Sequence, residues 1–318
     1  MNTIHDDCPH PVPPIAYLRW KENWFWLFID PVNNVQGMAH FSYEPIFNHA
    51  RVACAVNIAG KIHQYGNEMV FPENFAYATE IGDDKLKVIF KEPQSRFELH
   101  LMTDALTLAI DYTKRAPLFD YEACDLANPD RPAFMKLAGL DTNMPYSHAQ
   151  QALNMTGTLK TASSATVTLS GVGYRDHSMG MRCDNLTDKH TWTFHLFQEH
   201  TFGVINLFSL NRPGLESVAG YVHDKAGTRA MREVNIQYIG DGPEGMPATV
   251  RFDLQDVYGK SYTIISDIEK RLGHVPLSVE APDGKCVYQI TENFCQSTLV
   301  QTGETACALV EIGYSSKK

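Results

Sequence analysis

Hydrophobic and polar residues alternate with period two along most of this chain, and stretches with helical spacing are hard to find. Segment 17–29, YLRWKENWFWLFI, predicts a strand carrying three tryptophans, and further strands are expected near 37–43, 51–59 and 75–81. Gly82-Asp83-Asp84 turns the chain into KLKVIFK, and SRFELHLM turns at Thr103-Asp104 into ALTLAIDYT. Glycine and aspartate supply the turn conformations that link such strands into hairpins. Over 113–150 the alternation fades and Pro117, Pro129, Pro132 and Pro145 accumulate, with one short helix expected inside 131–139. A connection this long is usually a linker or a functional lid. From 154 onward the alternation returns through MTGTLKT, ATVTLSG, HTWTFHLF, FGVINLFSL, ESVAGYV, TRAMREVNIQY, ATVRFDL, SYTIISDI, LSVE, KCVYQIT and ACALVEI. The expectation is an all-β protein of two antiparallel barrels: residues 1–125, a linker over 126–150, and residues 151–318. An antiparallel barrel of about eight strands can enclose one small ligand.

The densest chemistry is Gly171-Val172-Gly173-Tyr174-Arg175-Asp176-His177-Ser178-Met179-Gly180-Met181-Arg182. On a regular strand Tyr174, Asp176, Ser178 and Arg182 share one face, and Arg175, His177, Met179 and Met181 the other. The glycines suggest bulges or close backbone approach. Two readings stand: an Arg–Asp pair pinning a barrel corner around a hydrogen-bonded His177, or acid–base machinery. Further on, His195 and Glu199 point the same way from a strand, as ligands, an acid/base pair, or rim and lumen residues of a barrel. A metal centre built on His177, His195, Glu199 and His200 is a further reading, but the spacing matches no metal-binding motif and no metal is expected. Trp24 and Trp26 share a face, as core aromatics or as a wall for a large apolar ligand. No GxSxG elbow, GxxxxGKS loop or GxGxxG fingerprint occurs, which argues against hydrolase triads, nucleotide kinases and nicotinamide dehydrogenases.

At 173–182 the chain resembles the GxRDHSWGxR segment of the carotenoid 1,2-hydratase (hydroxyneurosporene synthase)/AttH-like superfamily. Glu22-Asn23-Trp24, Thr156-Gly157-Thr158-Leu159, Trp192 with His195, and Gly220-Tyr221-Val222 also fit. The resemblance implies two lipocalin-like barrels packed side by side. It also implies cofactor-free proton-transfer chemistry on apolar molecules, such as double-bond hydration or cyclisation. The motif histidine implicated in hydratase catalysis matches His177; where those enzymes carry a tryptophan two residues later, this chain has Met179.

Composition narrows the field further. With 44% hydrophobic, 20% charged and 11% aromatic residues over 318 positions, the chain can form a core without disulfides or metal. A formal charge of −10 offers no footprint for nucleic acid, and no run of about 18 apolar residues suggests a membrane span. The N-terminal MNTIHDDCPHPVPP lacks a signal-peptide pattern, and seven scattered cysteines form no CxxC pair. A cytoplasmic protein with reduced thiols is the expectation, and a homodimer is left open. The functional expectation is a cofactor-free lyase or isomerase of a terpenoid-, steroid- or polyketide-like substrate. His177 serves as acid/base, Asp176 orients it or is structural, and Arg175 or Arg182 holds Asp176 ionised. Tyr174, Met179, Trp24, Trp26, Trp192 and His195 are expected to line the substrate site. The alternative is a lipocalin-like carrier or sensor of a hydrophobic small molecule.

Overall fold

Antiparallel pairing organises the chain into two sheets, seen in a computed structural model that describes residues 6–14, 20–129, 146–162, 165–181, 187–210, 212–280 and 286–316. The first carries β1 (Trp20–Asp30), β2 (Val35–Glu44), β3 (His49–Ile58), β4 (Lys61–Val70), β5 (Glu80–Gly82), β6 (Leu86–Glu92), β7 (Arg96–Met102), β8 (Leu106–Lys114), the two-residue β9 (Phe119–Asp120), β10 (Tyr146–Thr161) and β11 (Val167–Met181). The order is β4-β3-β2-β1-β11-β10-β8-β7-β6-β5, a curled half-barrel whose end strands are not paired with each other among the described residues.

The second sheet carries β12 (Thr187–Leu196), β13 (Thr201–Ser209), β14 (Glu216–Asp224), β15 (Gly227–Asp241), β16 (Pro247–Asp256), β17 (Ser261–Asp267), β18 (Gly273–Glu280), β19 (Cys286–Leu299) and β20 (Glu304–Ser315). It runs β17-β16-β15-β14-β13-β12-β20-β19-β18, and a further pairing of β17 with β19 closes eight of these strands into a barrel. The all-β expectation holds. A six-residue helix, α1 (Glu122–Ala127), is short, and among the described residues no helix is long and apolar enough to cross a membrane.

The units are Met1–Asp120 with Asn143–Arg182, and Tyr121–Thr142 with Cys183–Lys318. This differs from a division at 125 and 150. Hairpin β10–β11, grouped from sequence with the second half, is the centre of the first sheet: β10 pairs β8, and β11 pairs β1. Alternation reveals a strand but not its partner, and these pairings are long-range. The proline-rich stretch likewise holds β9 and α1, while the helix expected at 131–139 lies outside the described residues. The strand expected over 75–81 is only the end of an irregular stretch leading into β5. Conversely, β4 went unforeseen because it is an edge strand whose residues are half-buried or exposed, so no apolar face marks it.

Core positions follow the pleat. In β8, Leu106, Leu108, Ile110 and Tyr112 face the core while Thr107 and the residues beyond Tyr112 face water. β1 is buried along nearly its whole length, so both of its faces are covered. Trp24, Trp26 and Phe28 enter the core lined by Phe41, Val52, Leu99 and Leu153. Where β11 crosses β1, backbones approach closely: a Cβ on Gly171 would stand 2.0 Å from the Ile29 carbonyl oxygen. Gly171→Ala is therefore expected to lower the denaturation midpoint by about 1–3 kcal/mol equivalent, the cost of overpacking, in chemical unfolding followed by circular dichroism.

Candidate functional site

The site grows from the register of β1 against β11. Glu22 lies opposite Met179, Trp24 opposite His177, and Trp26 opposite Arg175, all on the core side of the half-barrel. On the neighbouring strand β2, Tyr43 stands opposite Glu22 and Phe41 opposite Trp24. Two charged side chains are thereby driven among aromatics, and both must be compensated there.

Arg175 is 1% exposed and meets Asp7, equally buried, with Nη2 2.6 Å from Oδ1. Its Nε donates to Gln151 Oε1 at 2.8 Å, and its guanidinium lies over Phe97 at 4.4 Å and Trp26 at 5.8 Å. Burial pulls the Arg175 pKa down, and the neighbouring Asp7 opposes that shift. Asp7 Oδ2 also accepts the Gln94 backbone N–H at 2.6 Å, and the Asp7 carbonyl accepts Trp24 Nε1–H at 3.0 Å. The segment before β1 is thus held against the sheet by an ion pair.

That segment delivers His10. Its backbone N–H donates to Glu22 Oε2 at 2.9 Å, and its Nδ1 lies 2.7 Å from Glu22 Oε1. His177 Nε2 reaches the same Oε1 at 2.8 Å. Burial alone would raise the Glu22 pKa; the hydrogen bonds from His10 and His177 outweigh it and hold the carboxyl below its ordinary value. An ionised carboxylate only accepts, so both ring nitrogens facing it carry hydrogen. The His177 ring is sandwiched, stacked on Trp24 with centroids 4.9 Å apart and on His10 at 5.6 Å. No partner for its Nδ1 is found among the described residues. Tyr43 packs edge-on to Trp24, its hydroxyl pushed up to about 12 chiefly by burial, with Glu22 adding. Cys8 is likewise pushed to about 12 by burial, then by Asp7 and Glu22, and stays a thiol rather than a nucleophile.

His10, Glu22 and His177 offer three ligand atoms within 4.8 Å of one another, the one such triple among the described residues. The contacts of 2.7 and 2.8 Å within it are hydrogen-bond lengths.

The other expected residues fall elsewhere. Asp176 and Tyr174 point to the opposite face of β11 from His177, so Asp176 does not orient that ring. Asp176 hydrogen-bonds His148 and accepts Gln150 Nε2–H at 2.9 Å, while Tyr174 donates to Gln150 at 2.8 Å. The arginine beside Asp7 is Arg175, and Arg182 lies outside the described residues. Met179 sits half-buried opposite Glu22. Trp26 serves as a platform for Arg175. Trp192 and His195 belong to the second unit. His195 is sealed inside the closed barrel between Thr193 Oγ1 at 2.6 Å and Ser297 Oγ at 2.9 Å, and burial drives its pKa to about 3. Glu199 pairs with Lys225, and His200 lies 3.8 Å from Asp224, so His195, Glu199 and His200 form no common ligand set among the described residues.

Sequence reasoning missed His10, Asp7, Tyr43 and the role of Glu22. Glu22 left a signal, since it shares a face with Trp24 and Trp26 by alternation. His10 left none, because it lies in an irregular segment.

The fold and site together define a double-β-domain protein with a histidine–carboxylate cluster under one sheet, and the chain belongs to the family of the domain of unknown function DUF7064, whose profile matches residues 3–314. No curated protein sequence matches it. Solved structures with this fold include an AttH-like protein of Nitrosomonas europaea, at TM-score 0.67 and 14% identity over 97% of this chain and 94% of that one. Kievitone hydratase of Nectria haematococca aligns at TM-score 0.59 and 14% identity over 92% and 88%. CghA with Sch210972 aligns at TM-score 0.58 and 11% identity over 97% and 94%. These neighbours share the fold that the sequence resemblance implied.

Removing one member of a buried ion pair strands the other charge. Asp7→Ala is expected to cost about 3–5 kcal/mol in urea unfolding, and Asp7→Leu combined with Arg175→Met to recover most of it. For His195 the sign is that of a buried base: the unfolded chain binds its proton near pH 6.5, the folded one only near 3. Stability therefore falls as pH drops through that window, and His195→Gln is expected to flatten the slope by about 1.4 kcal/mol per pH unit between about pH 6 and 4.

Proposed function

We propose that this protein is a lyase or isomerase that moves a proton to or from a neutral, largely apolar substrate, with His177 as the acid–base group. The observation that carries this reading is the His177–Glu22 hydrogen bond among aromatic side chains. A buried carboxylate that accepts the Nε2–H fixes the imidazole tautomer and stabilises the imidazolium, leaving Nδ1 to exchange a proton with the ligand. His10 shares the load on Glu22, and Trp24 stacks its π-face on the His177 ring.

In the hydration direction the imidazolium gives its Nδ1 proton to an alkene carbon, water adds to the cation, and the water's extra proton returns to His177. Dehydration is the reverse; isomerisation returns the proton from a different carbon. Each step moves only a proton and water, so none calls for an electron carrier. Kievitone hydratase, which shares this fold, is by name a hydratase, and that likeness supports the same class of reaction. Met179, half-buried and opposite Glu22, offers an adaptable apolar side chain for the substrate in this reading.

The test is a panel of prenylated phenols, sterols and polyene polyketides incubated in deuterated buffer and read by mass spectrometry. Wild type is expected to add water to, or exchange carbon-bound hydrogen of, at least one compound. His177→Ala is expected to be about 10²–10⁴-fold slower while still quenching tryptophan fluorescence on binding. Undiminished turnover in His177→Ala overturns the assignment, and saturable binding without product from any compound marks a carrier instead.

A further inference from the structure

Glu22 is a carboxylate 1% exposed that meets no lysine or arginine among the described residues. Its ion-pair partners are the imidazoles of His10 and His177. The buried guanidinium on the same face of β11 as His177, that of Arg175, is committed to Asp7. A neutral imidazole lends hydrogen bonds but no charge, so the burial of Glu22 leaves room for a cation to complete the balance.

The three side chains are arranged as a ligand set. Their donor atoms lie within 4.8 Å of one another, and both imidazole nitrogens, Nδ1 of His10 and Nε2 of His177, converge on the same oxygen, Oε1 of Glu22. Two of the three are preset by the sheet. Glu22 and His177 come from the paired strands β1 and β11, with Glu22 opposite Met179 and Trp24 opposite His177. The His177 ring is stacked on Trp24, and Oε2 of Glu22 is fixed by the His10 backbone N–H at 2.9 Å. His10 is the adjustable one. It lies before β1 outside any regular element, and its side chain is 22% exposed, which gives an ion a way in from solvent.

Nitrogen and oxygen 2.7 and 2.8 Å apart share a hydrogen. Around a tetrahedral zinc, with bonds of about 2.0–2.2 Å, neighbouring donors stand about 3.3–3.5 Å apart. A zinc ion thus replaces the two shared hydrogens once each contact opens by about half an ångström, less than the shift of one rotamer. Two imidazoles and a carboxylate suit zinc, whereas magnesium and calcium take oxygen ligands.

We propose that His10, Glu22 and His177 form a zinc-binding site, with His10 Nδ1, a Glu22 carboxylate oxygen and His177 Nε2 as the three protein ligands and a fourth position left to water. The site stands whether or not His177 transfers protons, since binding needs no substrate.

Competition for Zn²⁺ between the full chain and a chromophoric chelator tests it, with X-ray absorption at the zinc edge reading the ligands. Wild type is expected to take up one tight equivalent whose shell holds two imidazoles, and excess Mg²⁺ to leave it in place. Loss of a residue that merely supports a ligand costs about 10–100-fold in affinity, so His10→Ala and Glu22→Gln are each expected to cost at least about 100-fold. His100→Ala, on β7 outside the cluster, is expected to cost nothing. Circular dichroism checks folding, and His10→Ala, which alters no strand, serves if Glu22→Gln unfolds. No tight equivalent in the wild type, affinity that survives His10→Ala, a shell without two imidazoles, or displacement by Mg²⁺ overturns the proposal.

Discussion

An arginine buried to 1% exposure must find its counter-charge, and Arg175 finds it in Asp7, in the irregular segment before the first strand. Most of the site's geometry follows from that pairing. Drawing Asp7 in lets its carbonyl accept from Trp24 and brings His10 to Glu22, so a segment with no regular structure becomes part of the sheet's interior. Gln151 ties Arg175 to the Gln94 and Ala116 carbonyls at 2.8 and 2.9 Å, joining two distant loops to the same cation. Such a pair adds little net stability compared with apolar side chains of equal volume. What it adds is placement: His10 can reach Glu22, beside the His177 ring two residues along β11, only while the segment stays down.

Two buried glutamates show how neighbours decide protonation. Glu22 meets two imidazole N–H groups and a backbone N–H, and is held ionised against the cost of burial. Glu292 meets another carboxyl and is held neutral by the same burial. Environments that push two carboxyls apart in this way are how one fold can offer an acceptor of protons in one place and a neutral acid in another.

Much of the fold was legible in the sequence because alternation is a local property: nearly every apolar run named from the sequence overlaps a strand. The sheet to which β10 and β11 belong was not legible, since pairing of β10 with β8 and of β11 with β1 is long-range. β4 was hidden because an edge strand needs no apolar face. Within the site, alternation correctly set Arg175 and His177 on one face and Tyr174 and Asp176 on the other, and that same separation rules out Asp176 as the residue that orients His177. The partner that does so, Glu22, sits on another strand. Asp7 and His10 carry no periodic signal, and their place is set by charge compensation rather than by pattern.

In the proposed mechanism an ionised Glu22 holds His177 as an Nε2–H donor and leaves Nδ1 for the ligand. Long-range nitrogen–proton NMR of histidine-labelled protein, with His177 assigned by substitution, reads this directly. The expected result is a protonated Nε2 on His177 whose proton resonance is shifted far downfield and moves upfield in Glu22→Gln. A neutral His177 carrying its proton on Nδ1, or an Nε2 signal indifferent to Glu22→Gln, contradicts it.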